Sequence, residues 1–358
     1  MAPNCASDPV ALSVVAPCCN ERDGLREFYR RARAASAHAV GDAYEIVLVD
    51  DGSSDDSWDI IRSLSLADHH VIGVHLMRNH GHQIAATAGL SVARGERVML
   101  IDADLQDPPE LIDRMMQRMD AGADVVYGRR VQRQGETWFK RASAATFYRL
   151  LSRLASIPIP EDTGDFRLMR RRVVDALLAM PERERFLRGM VSWIGGRQVP
   201  LDYERDPRHA GQSKYTFAKM LRFASDAVTS FSIAPLRFAA WLGLLIAGLA
   251  MLLLVYSIWR WANGAVVTGW TSLMAALTLF AGVQLLVLGI IGEYLGRLVQ
   301  ESKGRPLFLI DAIVVAGESQ IVPTAFWRTG QPLPRVALAP AAATERSDRA
   351  PSAGGAHA

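Results

Sequence analysis

The sequence predicts an α/β domain with a mostly parallel sheet, followed by two helices that span a membrane. Three observations support this prediction. Short apolar runs alternate with helical patterns over the first third of the chain, and acidic residues follow several of these runs. Further along, Phe238 to Trp259 and Leu273 to Gly292 contain no Asp, Glu, Lys or Arg. Each stretch has about 20 residues, the length needed to cross a bilayer.

The order of the elements predicts where a ligand binds. Strands are predicted at 11–15, 44–49, 71–77, 98–101 and 124–127, and helices at 24–37, 57–66, 83–93 and from Asp107 to about Gly122. Strands that alternate with helices form parallel sheets with right-handed crossovers. The ligand crevice of such a sheet lies at the carboxyl ends of its strands.

The run Asp107-Pro108-Pro109-Glu110 is typical of a helix start. Asp107 is expected to cap free amide groups, Pro108 suits the first helical position, and Glu110 is placed for a capping box. Asp107 and Glu110 are therefore interpreted as structural residues.

Acidic residues at the other strand ends need a different explanation. The first strand is followed by Pro17 and Glu21, the second by Asp51, and the fourth by Asp102 and Asp104. Turn formation explains glycine and serine in such loops but not acids that face one edge. Two close carboxylates favour a hard divalent cation. The sequence has no G-x-G-x-x-G or Walker loop, which argues against a dinucleotide enzyme or an NTPase.

Basic residues downstream are candidates for binding phosphate. Arg129 follows the fifth strand, and Arg141 lies on a predicted amphipathic helix at 137–155. Arg208 and Lys214 flank a glycine-containing loop shortly before the first uncharged stretch. A single arginine is more often a solvated surface charge than a phosphate ligand. Two basic residues around a glycine-containing loop next to a membrane helix are less easily explained as surface charges.

The charges around the hairpin predict its orientation. Basic residues precede the first span and follow the second, whereas the linker between them holds only Arg260. By the positive-inside rule both ends of the hairpin are cytoplasmic. The polar first nine residues predict no signal peptide, and the three cysteines fit a reducing compartment. The pattern at 215–231 favours a helix in the membrane interface, with a core-facing helix as the alternative.

These features divide the chain into segments. They are an N-terminal segment 1–10, a cytoplasmic domain 11–212, an interfacial amphipathic helix 213–235, two transmembrane helices within 236–296 (about 238–259 and 271–294), a cytoplasmic segment 297–331 and a disordered tail 332–358.

Six motifs in order resemble glycosyltransferase family 2. They are VVAPCCNE, VLVDDGSSDDS, RNHGHQIAATAGL, IDADLQDPPE, GDFRLMRR and RHAGQSKY. The two spans followed by GEYLGRLVQESKGRP resemble bacterial polyprenyl-phosphate glycosyltransferases, and the resemblance covers roughly Leu12 to Leu309. It implies a Rossmann-like, A-type glycosyltransferase fold. His80-Gly-His82 is interpreted as tolerated variation in its motif and not as a metal site.

The resemblance also implies ligands and residue roles. The donor is a nucleotide-sugar, the acceptor a polyprenyl phosphate in the bilayer, and the cofactor Mg²⁺ or Mn²⁺. Nucleic acid is not expected, and a homo-tetramer is possible in this family. By resemblance, the donor is bound by Pro17, Glu21, Asp51, Asp102 and Gln106, the metal by Asp102 and Asp104, and phosphate by Arg129, Arg141, Ser143, Arg208 and Lys214. Asp104 is counted as catalytic with Asp165, the family's usual candidate base.

The expected reaction is one inverting displacement at the cytoplasmic face of the inner membrane. UDP-glucose is the first expectation for the donor, with GDP-mannose or a UDP-amino sugar as alternatives. The acceptor phosphate is mostly dianionic at neutral pH, so Asp165 is expected to orient or assist. Two other classes of function stay open, namely a non-catalytic membrane scaffold and an enzyme with a soluble or protein acceptor.

Overall fold

A nine-stranded sheet organises the parts of the chain that the computed structural model describes, which are residues 10–130, 163–204, 234–263 and 269–320. Its strands are β1 Leu12–Cys18, β2 Tyr44–Asp50, β3 Val71–Leu76, β4 Arg97–Leu100, β5 Val125–Arg130, β6 Thr163–Arg170, β7 Gln198–Tyr203, β8 Ile310–Val315 and β9 Glu318–Gln320. The spatial order is β7-β5-β6-β4-β1-β2-β3-β8-β9, and only β6 and β8 run opposite to the rest. The predicted mostly parallel sheet is confirmed.

Eight α-helices accompany the sheet within the same ranges. They are α1 Leu25–Val40, α2 Ser57–Ala67, α3 His82–Val92, α4 Ile112–Asp120, α5 Arg171–Ala179, α6 Leu187–Ile194, α7 Ala234–Ala262 and α8 Trp270–Ser302. Helices α1 to α3 lie where the alternating pattern predicts them. Helices α5 and α6 follow the antiparallel strand β6 and extend the domain beyond the elements assigned from the sequence.

The central strand β1 shows why helices cover both faces of the sheet. All seven of its side chains are buried, as expected for a strand in a parallel sheet that is covered on both sides. Val14 packs in one core cluster with Phe28 of α1, whereas Val15 packs in the other. A Cβ added at Gly89 of α3 would lie 2.4 Å from Val15 Cγ1. This close approach packs α3 directly against β1. Because α3 follows β3, which runs parallel to β1, its amino end lies at the carboxyl end of the sheet.

The predicted start of α4 is corrected by the structure. Pro108 is followed by a second proline, and its backbone is extended (φ −78°, ψ 118°) because that position disfavours the helical region. A short 3-10 turn follows, and neither this turn nor α4 has a side-chain hydrogen bond at its N-cap position. Asp107 is fully buried and accepts the Tyr203 hydroxyl at 2.5 Å. Glu110 instead accepts two 2.8 Å hydrogen bonds from Arg31 of α1.

Helices α7 and α8 are both long and apolar enough to cross a membrane. Their most apolar windows, Leu236–Leu253 and Leu279–Ser302, have mean hydropathies of 2.0 and 1.7. At about 1.5 Å per residue, helices of 29 and 33 residues exceed the roughly 30 Å of a bilayer's hydrocarbon core. Arg297 of α8 forms an ion pair with Glu184, which ties the hairpin to the loop before α6.

After the hairpin the chain returns to the sheet, a feature that the sequence analysis did not predict. Strand β8 pairs antiparallel with β3, from Ile72 opposite Val315 to Leu76 opposite Ile310. Ile313 is also buried and belongs to the core on the α3 side. The segment that the sequence divided off at 297–331 therefore contributes an edge to the main sheet.

Candidate active site

Side chains from the carboxyl ends of β1, β2 and β4 and from the amino end of α3 line a cavity of about 340 Å³. Five residues that were singled out from the sequence are in its wall, namely Pro17, Glu21, Asp51, Asp102 and Asp104. The cavity lies where parallel sheets bind ligands. The fold thus brings together three of the acidic strand ends, as predicted.

The β2 side of the cavity is fixed by backbone contacts to Asp51. Its Oδ1 accepts the His80 amide at 2.7 Å and its Oδ2 accepts the Gly81 amide at 2.9 Å. Desolvation nevertheless raises the pKa of Asp51 above its ordinary value. Asp51 therefore joins the end of β2 to the loop that leads into α3, in addition to facing the cavity.

Gly52 permits this contact because no side chain fits beside the same loop. Its φ is +62°, and an added Cβ would lie 2.6 Å from the Arg78 carbonyl carbon and the Asn79 nitrogen. Backbone atoms cannot move aside as the end of a flexible side chain can. Gly304 offers a matched position, with φ +56° and nothing within 4 Å of its added Cβ.

We expect Gly52→Ala to be more destabilising than Gly304→Ala. Both carry the strain of a left-handed backbone, but only Gly52→Ala adds overpacking, which typically costs about 1–3 kcal/mol. The measurement is the thermal unfolding midpoint of each full-length variant in the same detergent. Equal midpoints for the two variants would show that the loop is not packed against Gly52.

Asp102 is a partly buried carboxylate whose hydrogen bonding is incomplete. Its Oδ1 accepts no hydrogen bond from any residue that the structure describes. Burial raises the pKa of Asp102 to about 6, aided by the charges of Asp165, Asp107 and Asp104 and opposed by His82. A carboxylate with a pKa raised by burial is stabilised by a cation next to the oxygen that accepts no hydrogen bond. Asp104 lines the same cavity and provides further carboxylate oxygens. The pair therefore fits a hard divalent cation.

His82 lies between two carboxylates at the floor of the cavity. Its Nε2 is 3.2 Å from Asp102 Oδ1 and 3.3 Å from Asp165 Oδ2. Desolvation lowers the pKa of His82, but the hydrogen bond to Asp165 and the charges of Asp102 and Asp165 outweigh it, so the net shift is upward. His82 therefore carries positive charge more readily than an exposed histidine and links the cavity wall to Asp165.

Asp165 lies on β6, is 3% exposed, and is surrounded by donors. Gln83 donates to its Oδ2 at 2.7 Å, and Arg188 of α6 donates to its Oδ1 at 2.9 Å. Arg167 lies 3.9 Å away. Burial raises the pKa of Asp165, but the His82 hydrogen bond and the two arginine charges hold it far below its ordinary value. Asp165 is consequently an ionised anchor with little tendency to accept a proton.

The remaining predicted site residues have varied surroundings. The backbone N–H of Gln106 donates to Asp104 Oδ1 at 3.1 Å and supports the acidic loop. Arg129 binds Asp202 of β7 through two hydrogen bonds of 2.6 and 2.9 Å and is about half exposed. The other phosphate-binding candidates, Arg141, Ser143, Arg208 and Lys214, lie outside the described residues. Their roles stay predictions.

Comparison with known proteins identifies the family. The model of glycosyl transferase family 2 matches residues 13–178, and that of the GtrB C-terminal hairpin matches residues 234–298. An uncharacterized glycosyltransferase of Bacillus subtilis (strain 168) is 44% identical over 302 residues, covering 84% of this chain and 93% of the relative. The chain belongs to glycosyltransferase family 2. The predicted A-type glycosyltransferase fold is thereby confirmed, and the cavity is the candidate active site of a glycosyltransferase.

Other relatives of this glycosyltransferase carry a more specific name. The bactoprenol glucosyl transferase of Shigella phage SfX is 38% identical over 84% of this chain and 97% of its own length. The prophage bactoprenol glucosyl transferase homolog of Escherichia coli (strain K12) is 36% identical over 84% of this chain and 99% of its own length. Among solved structures, mannosyl-3-phosphoglycerate synthase from Rubrobacter xylanophilus is 20% identical, with a TM-score of 0.42 over 61% of this chain and 72% of that chain.

Sequence reasoning missed the residues that hold Asp165. The sequence gives no reason to place His82 or Gln83 beside Asp165, because 82 residues separate Gln83 from Asp165. Arg188 lies 23 residues beyond Asp165 in the chain and has no motif around it. A buried aspartate in GDFRL requires donors, but the sequence does not say which of the many arginines supplies them.

Proposed function

We propose that this glycosyltransferase transfers glucose from UDP-glucose to the phosphate of the membrane lipid undecaprenyl phosphate. The observation that carries the proposal is a cavity lined by Glu21, Asp51, Asp102 and Asp104, in a chain that also has two apolar helices. The bactoprenol glucosyl transferases named above support the lipid acceptor and the glucosyl group, because their similarity extends over the cavity and the hairpin alike. GDP-mannose and UDP-amino sugars remain alternative donors.

Asp102 and Asp104 are the proposed ligands of Mg²⁺ or Mn²⁺. When bound, the metal supplies Lewis-acid stabilisation of the departing diphosphate. The fit rests on the two carboxylates that line one cavity and on Asp102 Oδ1, which accepts no hydrogen bond from the described residues although His82 Nε2 lies 3.2 Å away. Burial raises the pKa of Asp102 to about 6 despite this neighbour, so a further cation would stabilise its ionised form. In the same cavity, Pro17, Glu21 and Asp51 are proposed to bind the nucleoside part of the donor.

The proposed role of Asp165 is to position other groups. Its carboxylate holds His82 and Gln83 at the start of α3 and Arg188 at the start of α6. A phosphate monoester has a second pKa near ~6 and is mostly dianionic at neutral pH, so the acceptor needs little deprotonation. Direct attack of this dianion inverts the anomeric centre, which converts an α-linked donor into a β-linked lipid product.

The hairpin formed by α7 and α8 is proposed to hold the cavity at the lipid surface. We infer that α7 and α8 cross the cytoplasmic membrane and that both chain ends are cytoplasmic. Support comes from the two apolar windows and from the basic residues that flank them. The segment limits at 212, 235, 296 and 331, the interfacial helix and the tetramer stay predictions.

Purified full-length protein with Mg²⁺ or Mn²⁺, labelled nucleotide-sugars and undecaprenyl phosphate tests the function. We expect label from UDP-glucose to enter the lipid phase only when lipid phosphate is present, and Asp102→Asn to serve as the inactive control. Transfer from another nucleotide-sugar would correct the proposed donor and leave the proposed lipid acceptor unchanged. Transfer without lipid would indicate a soluble acceptor, and no transfer from any donor would favour the non-catalytic scaffold.

The orientation is tested by labelling single cysteines from outside intact cells. We expect a membrane-impermeant thiol reagent to modify Asn263→Cys, at the end of α7, and to leave Ser302→Cys, at the end of α8, unmodified. Both side chains are exposed, so permeabilised cells provide the control in which both react. The opposite labelling pattern would place the cavity outside the cell and contradict the proposed orientation.

A further inference from the structure

A second cluster of metal-ligating side chains lies at the opposite edge of the sheet from the active site. Asp42 precedes β2, and His69 and His70 precede β3, its parallel neighbour. One ligand atom from each of these residues lies within 4.8 Å of those of the other two. The seven residues of β2 separate this cluster from the cavity by roughly 20 Å at about 3.3 Å per residue.

The His70 ring is held in one orientation by its neighbours. Its Nδ1 is 2.7 Å from Asp68 Oδ1, and its ring stacks on Tyr44 with centroids 4.2 Å apart. Asp68 is itself fixed by the Tyr29 hydroxyl at 2.7 Å. Donation from Nδ1–H to a carboxylate leaves the lone pair on Nε2, the arrangement that metal-binding histidines have in most metal sites.

The Nε2 atom of His70 points into the cluster without a partner. His70 is 9% exposed, and this nitrogen makes no hydrogen bond with any described residue. Asp42 Oδ1 lies 3.0 Å from it, but the contact lacks hydrogen-bond geometry. A lone pair and a carboxylate oxygen this close repel each other unless a cation lies between or beside them.

A doubly protonated His70 between Asp68 and Asp42 is the simpler alternative. An imidazolium would direct its Nε2–H at Asp42, whereas the contact does not have that geometry. His69 lies against His70, with ring centroids 4.0 Å apart, and so brings a second imidazole to the cluster. Two imidazoles and one carboxylate are ligand types that suit Zn²⁺ and related transition metals.

We propose that Asp42, His69 and His70 bind a divalent transition metal of the Zn²⁺ type. Zinc takes imidazole nitrogen and carboxylate oxygen at ~2.0–2.2 Å, so two ligands of one ion lie about 3.0–3.4 Å apart at common ligand angles. The 3.0 Å between His70 Nε2 and Asp42 Oδ1 fits this spacing. Water fills the remaining positions, and the metal joins the loops that precede β2 and β3.

The test measures metal binding directly and does not depend on the transferase activity. Full-length Asp102→Asn protein without an affinity tag, stripped with a chelator and kept in detergent, is titrated with Zn²⁺ and, separately, with Co²⁺. The Asp102→Asn background weakens binding at the active site. We expect a rise in the thermal midpoint with Zn²⁺ and tetrahedral Co²⁺ absorption bands. His69→Gln and Asp42→Asn should each weaken Zn²⁺ binding by at least about 10-fold.

His70→Gln would remove a buried ring and could prevent folding. The test therefore relies on variants of the exposed residues His69 and Asp42. Asp59→Asn, an exposed change on α2, is the matched control and should leave the Zn²⁺ affinity unchanged. His69→Gln made in the otherwise unaltered chain should keep full glycosyl transfer. Zn²⁺ affinity that is equal in His69→Gln, Asp42→Asn and their parent, or absent from the parent, would overturn the proposal.

Discussion

Asp102→Asn is expected to reduce glycosyl transfer by about 10³-fold, the upper end of the loss seen when one group that stabilises a developing anion is removed. The amide keeps the shape of the side chain but not the charge that is proposed to hold the metal. Asp104→Asn should cause a comparable loss, because both carboxylates line the same cavity. The measurement is the initial rate of label transfer to undecaprenyl phosphate at saturating Mg²⁺ or Mn²⁺.

This loss should occur without unfolding. At neutral pH the raised pKa of Asp102 means that its ionised form is destabilised by burial in the metal-free protein. The amide removes that buried charge, so the thermal midpoint of metal-free Asp102→Asn should not fall below that of the parent. Asp59→Asn provides the matched control for activity. Full metal-dependent transfer by both Asp102→Asn and Asp104→Asn would refute the metal assignment.

Asp165→Asn is expected to destabilise the fold and to slow transfer. Removing one partner of a buried ion pair typically costs about 3–5 kcal/mol, and here it leaves Arg167 and Arg188 without their shared carboxylate. Because the pKa of Asp165 is lowered, its stabilising effect is fully present above the ordinary aspartate value near ~4. The effect is lost only under strongly acidic conditions. Asp165→Glu retains the charge and should recover part of the stability.

The activity of Asp165→Asn separates a positioning role from that of a base. Per folded molecule, we expect a loss of no more than about 10²-fold, the low end of general-base effects. The acidic limb of the rate against pH should stay near ~6, where the acceptor phosphate loses its second proton. The measurement is kcat/KM for undecaprenyl phosphate from pH 5 to 9 for both proteins. A loss well above about 10²-fold at every pH from 5 to 9 would indicate that Asp165 is the base and that the positioning role is wrong.

The sequence alone determined strands β1 to β5, the hairpin and the acidic wall of the cavity. Apolar periodicity identifies β1 to β5, and uncharged length identifies α7 and α8, because both signals depend on residues that are close in the chain. Parallel connections then place Glu21, Asp51 and Asp102 at one edge without further information. These predictions succeed because handedness and strand direction leave few alternatives.

Only the tertiary structure decided which side chains meet around Asp165 and at the far edge of the sheet. His82 and Asp165 belong to α3 and β6, and β8 pairs with β3 after the chain has passed through the hairpin. Asp42 and His70 likewise meet only because β2 and β3 are neighbours. Pairs of polar groups that are distant in the chain leave no periodic pattern in the sequence. Burial determines which groups pair, because an unpaired buried charge costs free energy. Few geometries in the folded chain provide such a charge with a partner.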